Sequence, residues 1–121
     1  MEGISGVVLV VDDSAFVLKS VARILSRTFE QVLTAASPDE AEVQLAGQAV
    51  THVVCDQVLG RDLPRGTDLV PEWRTRFPSI RRAIILTGSP LAEVPTVDGV
   101  DAILGKPGSA NEIFEGLGIV R

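Results

Sequence analysis

The sequence has a single cysteine, Cys55, a single histidine, His52, and no tyrosine. One cysteine excludes a disulfide within the chain and the paired-cysteine motifs of zinc sites, and it favours a reducing compartment. No uninterrupted hydrophobic run approaches the roughly 20 residues that a membrane-spanning helix needs. The first residues also lack the basic segment that opens a signal peptide. We therefore expect a cytoplasmic protein.

Positive charge is scarce as well, because 11 lysines and arginines stand against 16 aspartates and glutamates, for a net charge of −5. Such a chain is poorly suited to a nucleic-acid backbone or an anionic membrane, and we expect neither as a partner. The 121 residues, 45% of them hydrophobic, are enough to form a core without disulfides or metals. Composition is even along the chain, so we predict one domain over residues 1–121.

Short, continuous hydrophobic runs rich in branched residues recur along the chain. Runs of this kind are typical of parallel strands that are buried on both faces. The predicted strands are Val7–Val11, Val32–Ala35, His52–Cys55, Ala83–Leu86 and Ala102–Leu104.

Segments of helical periodicity separate the runs. The first carries an apolar stripe from Val17 to Leu25 and on to Phe29. The second begins with a capping pattern, in which Ser37 caps, Pro38 takes the first helical position and Glu40 completes the box.

The later helices are more constrained by proline and glycine. We start the third helix near Asp68, so that Pro71 falls in the tolerated first turn. Between the last two strands, Ser89–Asp101 has room for one or two helical turns at most. The last helix begins at the Ser109 and Glu112 capping pattern and should be short. Strands alternating with helices predict a doubly wound α/β fold, with helices on both faces of a five-stranded parallel sheet.

Polar residues follow four of the predicted strands, at the sheet edge where sites form in this fold class. They are Asp12-Asp13 after the first strand, Asp56 after the third, Thr87-Gly88 after the fourth and Lys106-Pro107 after the fifth. Each alone has an ordinary structural explanation, such as helix capping or a solvated lysine. Jointly they predict a site.

Three carboxylates gathered at one edge would need a cation. At about 4 Å and an effective dielectric near 20, each pair of negative charges repels by about 4 kcal/mol. All-oxygen ligation suits Mg²⁺ or Mn²⁺ better than zinc. With the Thr87 hydroxyl and the Lys106 ammonium beside the ion, the combination is typical of phosphoryl chemistry.

In these four motifs the chain resembles the receiver domains of bacterial two-component response regulators, and the resemblance runs from Val7 to about Leu117. It implies a flavodoxin-like fold in which Asp56 accepts a phosphoryl group from the phosphohistidine of a sensor histidine kinase or phosphotransfer protein. It also implies that Asp13 binds Mg²⁺ directly, that Asp12 acts mainly through a bound water, and that the backbone carbonyl of Val58 adds another oxygen.

The resemblance implies a switch as well. Lys106 would neutralise phosphoryl oxygens, a cis peptide would join it to Pro107, and Thr87 would bond the phosphoryl group, with the small Gly88 leaving that group open to solvent. Drawing Thr87 inward would move the loop after the fourth strand. The implied function is signalling through a downstream effector protein rather than enzymatic catalysis.

The chain departs from the receiver pattern at three places. Ile103 stands where receivers usually carry the aromatic residue that reports the switch. The loop after Asp56 is longer than in most receivers, because its turn glycine, Gly66, stands about two positions later than is common in that family. Pro90 and Pro95 break the fourth-helix region, which weakens the face that usually carries output.

Two other functions therefore stay open. The first is a receiver-like interaction module that signals without phosphorylation, as Ile103 suggests. The second is a haloacid-dehalogenase-type phosphatase, although that family separates its two aspartates by one residue, whereas Asp12 and Asp13 are adjacent. The sequence leaves open the oligomeric state, and whether the chain acts alone or as part of a longer protein.

Several other residues have structural interpretations. We expect Cys55 to be a buried small hydrophobe, His52 to be structural or exposed, and Trp73 to be in the core or half-buried. We expect a solvated basic face from Arg74, Arg76, Arg81 and Arg82.

Overall fold

The computed structural model of the chain describes residues 4–119 and has one parallel sheet. Its strands are β1 Ile4–Val11, β2 Phe29–Ala35, β3 His52–Cys55, β4 Arg82–Thr87 and β5 Ala102–Gly105. They lie in the order β2-β1-β3-β4-β5. Strand order therefore reverses at β1 and β3, the point where doubly wound folds place their sites. The predicted fold class is confirmed; both ends of the predicted domain, 1–121, extend outside the described residues.

In the described part of the chain, four α-helices flank the sheet: α1 Ala15–Leu25, α2 Pro38–Gly47, α3 Gly66–Arg76 and α4 Ala110–Gly116. Between β4 and β5 the chain forms a single 3-10 turn, Leu91–Glu93, in place of a full helix. The short last helix and the reduced helix before β5 are both as predicted. Within residues 4–119, no helix combines the length and the apolar character that crossing a membrane requires.

The core consists of one hydrophobic layer on each face of the sheet. Leu9 and Val11 point into the layer beneath α2 and α3, and Val8 and Val10 point into the layer beneath α1 and α4. Trp73 is fully buried in the first layer, as predicted. Each fully buried Val, Leu, Ile or Phe side chain of these layers stabilises the fold by roughly 1.5–3 kcal/mol relative to an exposed one.

Two predictions about helix boundaries are wrong. Phe29 opens β2 instead of ending the stripe of α1, because α1 stops at Leu25 and the chain turns there. Helix α3 begins at Gly66, two residues early, so Pro71 lies in its second turn rather than its first. The helix continues through Pro71 without the hydrogen bond that the residue at 71 would otherwise donate to Thr67.

The arginines in the last turn of α3 form ion pairs rather than a simple solvated face. Arg74 lies 2.8 Å from the Asp101 carboxylate, and Arg76 lies 3.2 Å from that of Glu42. The predicted basic surface is therefore largely neutralised by acidic neighbours.

His52 is buried and has a structural role, which is the first of the two expected alternatives; it is not exposed. Its side chain packs edge-on against Phe29, with ring centroids 4.9 Å apart, and its Nδ1 lies 2.8 Å from Thr51 Oγ1. Burial, together with the positive charges of Arg81 and Arg82, lowers the pKa of His52 from 6.5 to about 4.

This lowered pKa predicts a loss of stability in mild acid. Between pH 6.5 and about 4 the unfolded chain binds a proton at His52 that the folded chain does not, so falling pH favours unfolding. We expect a loss of about 1–2 kcal/mol between pH 7 and pH 5 that a His52→Gln variant does not share. Urea unfolding of both proteins at both pH values measures it. Equal pH dependence in the two proteins would contradict the assignment.

Candidate functional site

The predicted acidic cluster forms at the carboxyl edge of the sheet. Asp12, Asp13 and Asp56 each present a carboxylate oxygen, and these oxygens all lie within 4.8 Å of one another. Strand pairing explains the convergence: Val11 of β1 lies opposite Cys55 of β3, so the residues that follow them emerge side by side. Asp12 and Asp56 are buried, whereas Asp13 is exposed.

Lys106 bridges the two buried carboxylates. It follows β5, and its Nζ lies 2.7 Å from Asp12 Oδ2 and 3.1 Å from Asp56 Oδ2. Its backbone N–H donates to the carbonyl of Thr87 at 2.8 Å, which ties the ends of β4 and β5 together. The peptide bond between Lys106 and Pro107 is cis, as the resemblance implied.

The ionisation of the cluster reflects both burial and pairing. Burial raises the pKa of Asp56, and the charge of Asp12 adds to that rise, while hydrogen bonds from Lys106 and from the backbone N–H of Val58 oppose it. Burial by itself would lower the pKa of Lys106, but its hydrogen bonds to Asp12 and Asp56 outweigh that effect and the pKa is raised. The site therefore holds a firmly protonated ammonium beside a carboxylate whose negative charge is poorly solvated.

The donor set fits a hard divalent cation. Three carboxylates and one ammonium leave an excess of negative charge at the partly buried cluster, and the donors are all oxygens. Oxygen donors of this kind suit Mg²⁺, Mn²⁺ or Ca²⁺ rather than zinc. Val58, predicted to add its backbone carbonyl, lies two residues beyond Asp56 with its side chain exposed.

Thr87 and Gly88 lie at the end of β4, beside Lys106. Thr87 is buried at the end of its strand, and its Oγ1 accepts a hydrogen bond from the Ser89 N–H at 3.0 Å. The hydroxyl proton of Thr87 can therefore still be donated to another acceptor. A β-carbon placed on Gly88 would meet only Lys106 Cδ, at 4.0 Å, apart from its chain neighbours, so the space at the Gly88 side-chain position is open.

Ile103 and Cys55 are part of the hydrophobic packing rather than of the acidic cluster. Ile103 is half-buried and packs against the core layer beneath α2 and α3. Cys55 is fully buried in the same layer, as predicted, and burial raises the pKa of its thiol.

Sequence reasoning missed Gln57. This residue is buried directly after Asp56, and its side chain bonds Thr67 at the start of α3. The only local signal was a glutamine two residues after the end of β3, at a position where a buried polar side chain needs a partner.

Comparison with known proteins gives the following likenesses. No protein-family model matches the chain. The hydrogenase transcriptional regulatory protein HoxA of Cupriavidus necator is 39% identical over 80 residues, which cover 64% of this chain. The match spans only 16% of that regulator.

Solved structures cover nearly the whole chain. A response regulator protein from Burkholderia pseudomallei, solved with a phosphorylated aspartic acid, a calcium ion and citrate, is 26% identical with a TM-score of 0.77, over 93% of this chain and 66% of that one. A CheY-like receiver domain from Methylobacillus flagellatus is 18% identical with a TM-score of 0.78, over 91% of this chain and 93% of that one. These likenesses confirm the predicted resemblance to response regulator receiver domains and the flavodoxin-like fold.

Proposed function

We propose that the chain is a phosphoacceptor receiver domain of two-component signal transduction, with Asp56 as the phosphoacceptor. The observation that carries the proposal is the bridge from Lys106 Nζ to Asp12 at 2.7 Å and to Asp56 at 3.1 Å, with Asp13 in the same cluster. One pocket thus joins a nucleophile, a fixed cation and carboxylates for an ion. The similar Burkholderia regulator, solved with a phosphorylated aspartic acid, supports the same chemistry.

The proposed transfer starts from a phosphohistidine on a sensor histidine kinase or a phosphotransfer protein. A carboxylate oxygen of Asp56 attacks phosphorus, an O–P bond forms, the N–P bond breaks, and the imidazole leaves with the bonding electrons. Before transfer, the ammonium of Lys106 donates a hydrogen bond to the Asp56 carboxylate. After transfer, it donates that hydrogen bond to a phosphoryl oxygen instead. Charge-assisted bonds of this kind are about twice as strong as neutral ones, so Lys106 stabilises the product.

The carboxylates of Asp12, Asp13 and Asp56, with the backbone carbonyl of Val58, would hold Mg²⁺ or Mn²⁺. When bound, such an ion supplies positive charge that offsets the carboxylates and polarises phosphoryl oxygens. Asp13 is the exposed member of the cluster and is suited to direct ligation, whereas Asp12 already pairs with Lys106 and is suited to ligation through water.

The acyl phosphate would act as a switch through Thr87. The new phosphoryl oxygens offer acceptors to its hydroxyl, and the open space beside Gly88 lets the loop follow. The 3-10 turn Leu91–Glu93 lies in that loop and is the element we expect to move. Output then passes to a downstream effector protein. With a net charge of −5, this chain is proposed to contact neither nucleic acid nor membrane, and to signal in the cytoplasm rather than act as an enzyme.

Intact mass tests the proposal directly. We expect the protein, incubated with acetyl phosphate and Mg²⁺, to gain the mass of one phosphoryl group, and to gain little when a chelator removes the ion. A chain that never gains this mass would contradict the proposal and favour an interaction module that signals without phosphorylation. Ile103, half-buried where receivers carry a mobile aromatic residue, is the observation that favours that alternative. Turnover of a generic phosphomonoester would instead favour a phosphatase.

A further inference from the structure

Gln57 is a buried polar residue that the proposed chemistry does not use. It is 6% exposed and follows Asp56 directly. Its Oε1 accepts a hydrogen bond from the Thr67 N–H at 3.0 Å, and its Nε2 donates to Thr67 Oγ1 at 3.0 Å. Its backbone carbonyl accepts from the Gly66 N–H at 2.9 Å. We call these three hydrogen bonds the Gln57 clamp.

The clamp caps helix α3 from a distance. The first backbone N–H groups of a helix lack partners within the helix and are usually satisfied by an oxygen on the N-cap side chain. Here the N-cap is Arg65, whose guanidinium has no acceptor. Gln57 supplies the two missing acceptors, one from its backbone and one from its side chain. The start of α3 is therefore fixed by the residue next to Asp56.

The Asp56 peptide is itself held from both sides, by β1 and by the start of α3. Asp56 N–H donates to the Val11 carbonyl of β1 at 2.9 Å. On the other side, Gly66 lies so close that a β-carbon there would be 2.5 Å from the Asp56 carbonyl oxygen. The next peptide also serves the site, because Val58, whose backbone carbonyl is proposed to bind the ion, follows Gln57 directly in the chain. A shift at Gln57 would thus move both Asp56 and Val58.

We propose that Gln57 is a positioning residue, which holds the Asp56 carboxylate and the Val58 peptide in the geometry that ion binding and phosphoryl uptake require. This inference rests on the proposed function for its chemistry. It does not require Gln57 to touch the phosphoryl group. The exposed loop of residues 61–65 is closed at its base by the clamp, through the bond from the Gly66 N–H to the Gln57 carbonyl.

The test compares Gln57→Met with Thr51→Val. Methionine keeps the length of the side chain and removes both polar atoms. Thr51 lies just before the opposite end of β3, where its hydroxyl bonds the Val7 backbone at 3.0 and 3.1 Å, so the control also removes hydrogen bonds but far from Asp56. We expect Gln57→Met to lower the uptake rate at saturating acetyl phosphate about tenfold, since small misplacements of reacting groups carry costs of this size. We expect the Thr51→Val rate to match the wild type.

A second pair of variants separates positioning from folding. Thr67→Val removes the hydroxyl partner of Gln57 but leaves the Thr67 N–H bond, and it should lower the rate less than Gln57→Met does. Thr67→Ser retains both partners and should restore the rate that Thr67→Val loses. All rates are taken well below the unfolding temperature, so a purely structural role would leave them unchanged.

Mg²⁺ affinity, measured by calorimetric titration without any phosphodonor, gives a second readout. We expect weaker Mg²⁺ binding in Gln57→Met and unchanged binding in Thr51→Val. Folded Gln57→Met and Thr67→Val proteins with wild-type uptake rates and wild-type Mg²⁺ affinity would overturn the inference. If the wild type takes up no phosphoryl group, the proposed function fails, and the Mg²⁺ titration alone then decides whether Gln57 positions the carboxylates.

Discussion

Asp56→Asn is expected to abolish phosphoryl uptake and to leave the fold intact. The amide oxygen of asparagine is far too weak a nucleophile to form the acyl phosphate. The pocket itself should survive, because Lys106 keeps its 2.7 Å contact with Asp12 and asparagine can still accept a hydrogen bond from Lys106. Intact mass after incubation with acetyl phosphate and Mg²⁺ measures the effect, and a variant labelled like the wild type would refute Asp56 as the phosphoacceptor.

The same variant should be more stable than the wild type when a chelator removes divalent ions. Burial and the charge of Asp12 raise the pKa of Asp56, so its ionised form disfavours the folded state at neutral pH. Asparagine removes this penalty, and we expect the free energy of unfolding to rise by about 1 kcal/mol at pH 7. The gain should disappear as pH falls through the folded pKa towards the ordinary aspartate value of 3.8, where the unfolded chain is protonated too.

Asp62→Asn is the matched control for both measurements. Asp62 is exposed in the loop after β3, and it has a positive φ of 62°, a conformation that asparagine adopts readily. This change removes the same charge without touching the acidic cluster. We expect unchanged phosphoryl uptake and a change in unfolding free energy within about 0.5 kcal/mol.

Gly66→Ala is expected to destabilise the protein by about 3 kcal/mol and to impair phosphoryl uptake. The added methyl group would lie 2.5 Å from the Asp56 carbonyl oxygen and 2.8 Å from Ile85 Cδ1. The carbonyl cannot yield, because β3 is held between β1 and β4. The start of α3 must therefore move away, which breaks the 2.9 Å bond from Gly66 to Gln57. The effect opposes helix propensity, by which alanine is favoured over glycine by about 1 kcal/mol.

Gly47→Ala is the control for this prediction, since Gly47 also lies in a helix and nothing stands within 4 Å of its added β-carbon. For Gly47→Ala we expect the free energy of unfolding to rise by about 0.5 kcal/mol, from helix propensity alone. Urea unfolding of both variants measures the contrast. If Gly66→Ala were as stable as the wild type and took up phosphoryl groups at the same rate, the close packing of α3 on Asp56 would not matter.

Local patterns in the sequence were sufficient for the strands and for the residues that follow them. The apolar runs of β3 and β4 and the capping pattern at Ser37 depend on neighbours within a few residues, and the structure has them nearly where they were predicted. Parallel pairing then brings the ends of all strands to one edge, which is why the position of Asp12, Asp13 and Asp56 in one cluster could be predicted.

The start of α3 could not be predicted for a physical reason. The side chain of its N-cap, Arg65, offers no acceptor, and the acceptors for the Gly66 and Thr67 N–H groups come from Gln57, across a loop, so no pattern near Gly66 predicts them. The burial of His52 was missed in the same way, because it depends on packing against Phe29 from another strand.

By itself, the sequence determined the order of strands and helices, the acidic strand ends and the lysine, because each follows from side chains close together along the chain. Only the tertiary structure decided that Lys106 reaches across β4 to both Asp12 and Asp56, and that Gln57 holds the start of α3. These contacts join residues far apart in the chain. Their distances depend on how the strands pair and how α3 packs on the sheet, which no local pattern encodes.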